Sequence, residues 1–216
     1  MQVGIIGGTG EIGEGMAMRL SRIMDVCVGS RDEVKASETC ELCLQLASDK
    51  GLSCFVRGGT NQEVLNSSDI VILAIPFRHL KSTVESLTGF EDKIVISPVN
   101  PMEKVDHFVF TPPSEGSAAL FLKGILPDST RICTAFNNIS GKRWRSIDEE
   151  LDYSVPVCGD DHEAKVVVMD LVDKISHLKA YDAGPLSISP LIEGITPLLL
   201  NIARYNHLKD LGVRFV

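Results

Sequence analysis

The residues of this chain best suited to chemistry come first. Gly8-Thr9-Gly10-Glu11-Ile12-Gly13 match G-x-G-x-x-G, the spacing with which a backbone closes around a pyrophosphate. Gly8 is expected to permit a tight strand-to-helix turn, Gly10 the approach of the phosphates, and Gly13 close packing of helix on strand. The free N–H groups opening the helix would then face the anion. About 20 residues on from the fingerprint, an NAD-binding unit carries Asp or Glu. Here that position is Ser30, followed by Arg31, with Lys35 one helical turn later. A carboxylate repels a 2′-phosphate, whereas a hydroxyl, a guanidinium and an ammonium bind one. Asp32 and Glu33 fall one register later, where a helix start favours acids in any case. The set predicts a site for NADP.

Other reactive residue types are scattered. Cys40 and Cys43 form a C-x-x-C, but they share one helical stripe with Ala36 and Ala47. No second pair completes a zinc site, and a redox pair opens a helix instead of sitting in its middle. With Cys27, Cys54, Cys133 and Cys158 they read as small buried residues, reduced in a cytoplasmic protein. Of the histidines only His79 falls near a strand end. G-x-S-x-G, H-E-x-x-H and P-loop patterns are missing, and the expected cleft offers no convincing proton donor for carbonyl reduction. Hydride exchange between NADP and a second redox ring needs no such donor. It needs two rings held at the right distance, so catalysis by positioning, with no catalytic side chain and no metal, is the chemistry these residues favour.

Positioning demands a scaffold. Val3–Ile6 reads as a strand, Ile12, Met16, Leu20 and Ile23 as one helix face, and Val26–Val28 as a second strand. Further strands are expected at Leu52–Val56, at Asp69–Ile75 (continuous, so buried on both faces), at Lys93–Ile96, Arg131–Phe136, Val155–Cys158 and Lys179–Tyr181. Thr60 with Glu63 makes a capping box. Met102–Ser114 lacks periodicity and reads as a surface excursion. Helices are expected at Ala118–Leu126, at His162–Ser176 and through the apolar segment Leu186–Tyr205, kinked at Pro197. The alternation predicts an α/β fold: a doubly wound, mostly parallel Rossmann sheet with a small C-terminal lobe. Residues 1–150 would form the NADP-binding domain and 151–216 the lobe completing the cleft.

Ligands of such sheets bind beyond the carboxyl ends of the strands. Gly8–Gly13, Ser30–Arg31, Pro76–Phe77, Pro98–Pro101 and Asn137–Ser140 should therefore converge. The apolar C-terminal helix predicts a partner subunit as well as a core contact. The 216 residues carry a net charge of −8, which leaves no basic surface for nucleic acid or anionic lipid. The N-terminus enters the first strand directly, so no signal peptide is expected. No apolar stretch is expected to reach the roughly 18 residues of a membrane helix.

Assembled, these segments resemble the NADPH-dependent coenzyme F420 reductases, or F420H2:NADP oxidoreductases, nearly end to end. The specific stretches are G-G-T-G-E-I-G at 7–13, V-G-S-R at 28–31, K-I-V-I-S-P at 93–98, V-P-V-C-G-D-D at 155–161, D-A-G-P-L-S at 182–187 and T-P-L-L-L-N-I-A-R-Y-N at 196–206. The resemblance implies a homodimer that passes a hydride between NADP and a 5-deazaflavin. It implies that Thr9, Ser30, Arg31 and Lys35 hold the 2′-phosphate and that Ile75, Pro76 and Ala135 border the nicotinamide. Asn137, Ile139, Leu186 and Thr196 would border the deazaflavin. Some members carry His and Pro where this chain has Asn137 and Ser140, and Arg where it has Pro190. Two other readings stand beside it: an NADPH-dependent flavin or ferric reductase, and an NADP-sensing domain without catalysis. Binding of a second ring beside NADP separates the last from the others.

Overall fold

β-Branched runs closed by glycine, serine or proline build the centre of the molecule. The computed structural model describes residues 1–216. β1 (Val3–Ile6), β2 (Val26–Ser30), β4 (Ile70–Leu73) and β5 (Ile94–Ser97) bury every residue, as parallel strands covered on both faces must. With β3 (Val56–Thr60), β8 (Arg131–Thr134), β9 (Tyr153–Gly159) and β10 (Leu178–Gly184) they form one eight-stranded sheet, ordered β10-β9-β8-β5-β4-β1-β2-β3. Every neighbouring pair is parallel except β8–β9, where Cys133 faces Gly159 and Thr134 faces Cys158 in antiparallel register. β6 (Met102–Lys104) and β7 (Phe108–Phe110) make a separate hairpin.

Side chains alternate along β1. Val3 and Ile5 join the core beneath α1 (Glu11–Leu20) and α7 (His162–Asp173), while Ile6 joins the opposite core with Leu80 of α4 (Phe77–Glu85) and Leu122 of α5 (Ala118–Ile125). α2 (Glu33–Ser48) and α3 (Asn61–Ser67) complete the dinucleotide half. α6 (Gly141–Arg145) lies on α1.

Five expectations need correction. The third strand starts where it was expected to end. Gly58 there meets the Ala36 backbone so closely that an added Cβ would stand 3.0 Å from it, a packing role that glycine's poor strand propensity hides. β9 and β10 extend the Rossmann sheet, so only the helical run after Gly184 stands off as a lobe. That run is a 3₁₀ turn (Leu186–Ile188), α8 (Ser189–Glu193) and α9 (Ile195–Tyr205), broken at Gly194. Pro197 lies in the first turn of α9, where its missing N–H costs nothing. Leu186–Tyr205 is also long and apolar enough, by length and composition alone, to cross a membrane. Its first half packs on α5, where the buried Glu193 carboxylate accepts the Ala118 and Ala119 amides at 2.7 and 3.0 Å. The stretch from Met102 is a hairpin, not an irregular excursion. Asn201 of α9 holds it by accepting from the Phe108 N–H at 2.8 Å and donating to its carbonyl at 2.7 Å.

Candidate active site

β1 and β4 are adjacent and parallel, and the chain leaves them toward opposite halves of the sheet. Their carboxyl ends therefore border a crevice, the place where doubly wound sheets take ligands. Gly7 adopts φ +74°, and a Cβ there would lie 2.8 Å from the Ala74 carbonyl. The turn's left-handed residue is thus Gly7, not Gly8 as the fingerprint suggested. Gly8 is hemmed in by Val28 and the Ile5 carbonyl, and a Cβ on Gly13 would stand 2.6 Å from both Gly7 and Gly8. Gly10 differs. A Cβ there meets only the Gly7 carbonyl at 3.5 Å, an ordinary contact. The fold itself leaves room for a side chain at Gly10.

Helix ends carry the same message. α2, α3, α5 and α7 are each capped by a side chain, namely Asp32, Thr60, Ser117 and Asp161. α1 and α4, whose starts flank the crevice, have Gly10 and Pro76 at the cap and no side-chain acceptor. Their first N–H groups remain available to an anion. Glu11 is exposed in the first turn of α1, and Ile12 is half-buried against the core.

At the end of β2 the Thr9 and Ser30 hydroxyls lie 3.3 Å apart, and Ser30 Oγ accepts the Asp32 N–H at 3.1 Å. The Asp32 carboxylate is spent on the α2 cap, accepting from Val34 at 3.0 Å. Arg31 and Lys35 are exposed and enter no ion pair. The corner thus offers hydroxyls and free cations, with its nearest acid occupied. Sequence reasoning missed Asn61. Buried at the start of α3, its Oδ1 accepts the Gly7 N–H at 3.4 Å and would lie 2.8 Å from a Cβ on Gly29.

Across the crevice Ile75 is half-buried and Pro76 exposed at the end of β4, and Ala135 is buried at the end of β8. Phe136 follows at φ +68°, a region costly for an aromatic residue. Asn137 comes next. Its carbonyl accepts from Asn100 Nδ2 at 2.8 Å and from the Thr196 hydroxyl, which also accepts from Asn100 at 3.1 Å. Its own Nδ2 donates to the Val99 carbonyl at 3.1 Å and to Asn100 Oδ1 at 3.3 Å. Two acceptors around Nδ2 fix the amide's orientation, so Oδ1 is the free end, buried with no donor. Asn138 repeats the pattern, donating to the Ser154 carbonyl while its Oδ1 lacks a partner. Each unmet buried group of this kind costs about 1–3 kcal/mol.

Thr196 and Asn137 are therefore brought together as the resemblance implied, with Asn100 as the link that sequence reasoning left unassigned. Ile139 is buried in the core beside Phe136 and Trp144. Leu186 is not brought to the crevice. It is buried, its N–H bonded to Asp160 at 2.9 Å. With Lys123, Asp128, Arg131 and Asp160 it lines a cavity of about 390 Å³ beside the amino end of β8. The antiparallel entry of β9 carries the segment after β10 to that far edge. Burial pushes the Cys40 thiol up to about 11 and Cys43 and Cys133 to about 12, which keeps all three protonated near neutrality.

A family described as NADP oxidoreductase, coenzyme F420-dependent, matches residues 2–101. The chain is 33% identical to the F420-dependent NADP reductase of Methanocaldococcus jannaschii, over 99% of this chain and 97% of that one. It is 33% identical to the enzyme of the same name from Methanothermobacter thermautotrophicus, over 99% and 94%. A crystal structure from Arthrobacter sp. FB24, provisionally assigned as an F420-dependent NADP reductase, superposes with TM-score 0.80 at 18% identity, covering 100% of this chain and 99% of that one. At that identity the likeness bears on the fold. The full-length relatives decide the family, and the chain belongs to the F420-dependent NADP reductases.

Proposed function

We propose that the crevice holds NADP(H) and coenzyme F420 side by side and passes a hydride between them. One coincidence at a single sheet edge carries this reading. An uncapped glycine turn with free cations lies three strands from a buried side-chain carbonyl that lacks a donor. Gly8, Thr9, Gly10, Glu11, Ile12 and Gly13 would surround the pyrophosphate, with Thr9, Ser30, Arg31 and Lys35 on the 2′-phosphate. Ile75, Pro76 and Ala135 would border the nicotinamide, and Asn137, Ile139 and Thr196 the deazaflavin. When bound, the coenzymes supply all of the redox chemistry: NADPH, oxidised F420 and a proton on one side, NADP and reduced F420 on the other. The chain's part is to fix the rings within reaction distance and exclude water, which suffices without a dedicated acid or base.

Two further features fit this reading. Leu191, Leu198, Ile202 and Tyr205 stand exposed on α8 and α9 at helical spacing, and a second copy of the chain covering them would make the homodimer the resemblance implies. The buried, protonated thiols suit a cytoplasmic setting.

The test is absorbance of oxidised F420 with the purified protein. NADPH is expected to bleach the visible band and NADH to do so poorly. Arg31→Ala should raise the NADPH KM about tenfold or more by removing a charge-assisted phosphate contact, and so erase the preference. Tight NADPH binding with no bleaching would leave the sensor reading; bleaching of a flavin but not of F420 would leave the flavin reductase.

A further inference from the structure

α6 is only five residues long, too short to stand alone, so its place is set by what it packs on. It packs on α1, the helix whose first turn faces the dinucleotide. Gly15, in the middle of α1, makes the contact possible. A Cβ there would lie 2.5 Å from Trp144 Cβ, 2.7 Å from the Trp144 carbonyl carbon and 2.8 Å from the Arg145 nitrogen. Those are backbone and near-backbone atoms, which cannot step aside cheaply. Glycine is disfavoured against alanine in mid-helix, so its presence is tied to this contact. One turn on, the half-buried Arg19 guanidinium spans the far end of α6. It donates to the carbonyls of Trp144 at 2.9 Å, Arg143 at 3.1 Å, Ser146 at 2.6 Å and Glu149 at 3.0 Å. A cation belongs at such a run of carbonyls. Burial, then Arg22 and Arg143, lower its pKa to about 10, which leaves it charged at neutrality.

The chain of contacts continues to the second ring. Trp144 is fully buried and stands edge-on to Phe136, with ring centroids 5.4 Å apart. Phe136 is the left-handed corner that aims Asn137 into its network with Asn100 and Thr196. A non-glycine residue in that region is strained and persists only where its surroundings over-determine it. Here the surroundings are Trp144 and, through it, α1.

We infer that Gly15, Arg19 and Trp144 are positioning residues: they lock the Phe136–Asn137 corner to the dinucleotide helix, so that one rigid unit sets the separation of the two rings. The inference rests on the two-coenzyme reading above and adds what fixes the distance in it.

Gly15→Ala is the direct test, because its methyl group would wedge α6 off α1 while Gly8–Gly13, Ser30, Arg31 and Lys35 stay untouched. Three quantities are measured: the single-turnover rate of hydride transfer from NADPH to F420, the NADPH dissociation constant and the thermal midpoint. Misplacement near 1 Å can slow such a step about 100-fold. The expected result is therefore a rate lower by about 10- to 100-fold, with NADPH affinity within about threefold of wild type. A folded variant with the wild-type rate would overturn the inference, as would rate and NADPH affinity falling together. Should Gly15→Ala fail to fold, Arg19→Met decides by the same criteria, since it keeps most of the apolar stem and removes the guanidinium with its charge and four hydrogen bonds. Failure of the wild-type protein to reduce F420 would instead sink the reading of the site.

Discussion

Gly10 and Gly13 sit three residues apart in one turn, yet a methyl group on each would meet opposite surroundings. On Gly13 it would press into the Gly7 carbonyl and Gly8 Cα at 2.6 Å; on Gly10 it would touch only the Gly7 carbonyl, at 3.5 Å. Gly13→Ala should therefore destabilise the fold by about 1–3 kcal/mol through overpacking. Gly10→Ala should melt like the wild type and bind NADPH about tenfold or more weakly, because the methyl group occupies the approach of the phosphates. Thermal melts beside NADPH titrations separate the two; an unaltered affinity in Gly10→Ala would remove the glycine turn from the site. The glycine turn, and Ser30, Arg31 and Lys35 as the proposed 2′-phosphate corner, could be named from the sequence because their spacing is local. Asn61 could not, and Asn100 was legible only as part of the Pro98–Pro101 loop expected in the cleft, without its partners. Asn61 acts on Gly7, 54 residues away, and Asn100 on Asn137 and Thr196, 37 and 96 residues away, and no local pattern marks an amide for such a task. Leu186 failed for a related reason: its position depends on the direction in which β9 enters the sheet.

Among the elements, continuous β-branched strands were easy to read because burial on both faces leaves no alternative. β3 was not, since two of its five residues are glycines, Gly58 packed against Ala36 of α2 and Gly59 against Glu63 of α3. α6 left no signal, being one short turn held by tertiary contacts. α8 is decided by Glu193, a fully buried acid that caps α5. Burial raises its pKa from 4.5 to about 7, and the two amide hydrogen bonds only partly oppose the shift. Because the folded state holds this proton more tightly than the unfolded one, the contribution is fully present below pH 4.5 and is lost as pH rises through about 7. Stability from this group thus falls with rising pH across that window. Urea midpoints between pH 5 and 8 should show the decline, and Glu193→Gln should flatten it. An equal slope in the variant would assign the decline to another group.

On the scale of the whole molecule, α9 buries only Pro197 fully, leaving Leu198 58% and Tyr205 67% exposed. A second copy is the proposed cover, so Leu198→Glu should convert a dimer into a monomer in sedimentation; a monomeric wild type would remove the dimer from the account. In the function proposed above, the two rings meet at the carboxyl edge of the sheet between β1 and β8. The most direct measurement follows the hydride itself. NADPH deuterated at the transferring position of the nicotinamide is mixed with F420 and the protein in ordinary water, and the reduced deazaflavin is examined by NMR. Deuterium retained on its ring carbon is the predicted result, because ring-to-ring transfer gives the hydride no contact with solvent. Reduced F420 without the label would contradict direct transfer in this crevice.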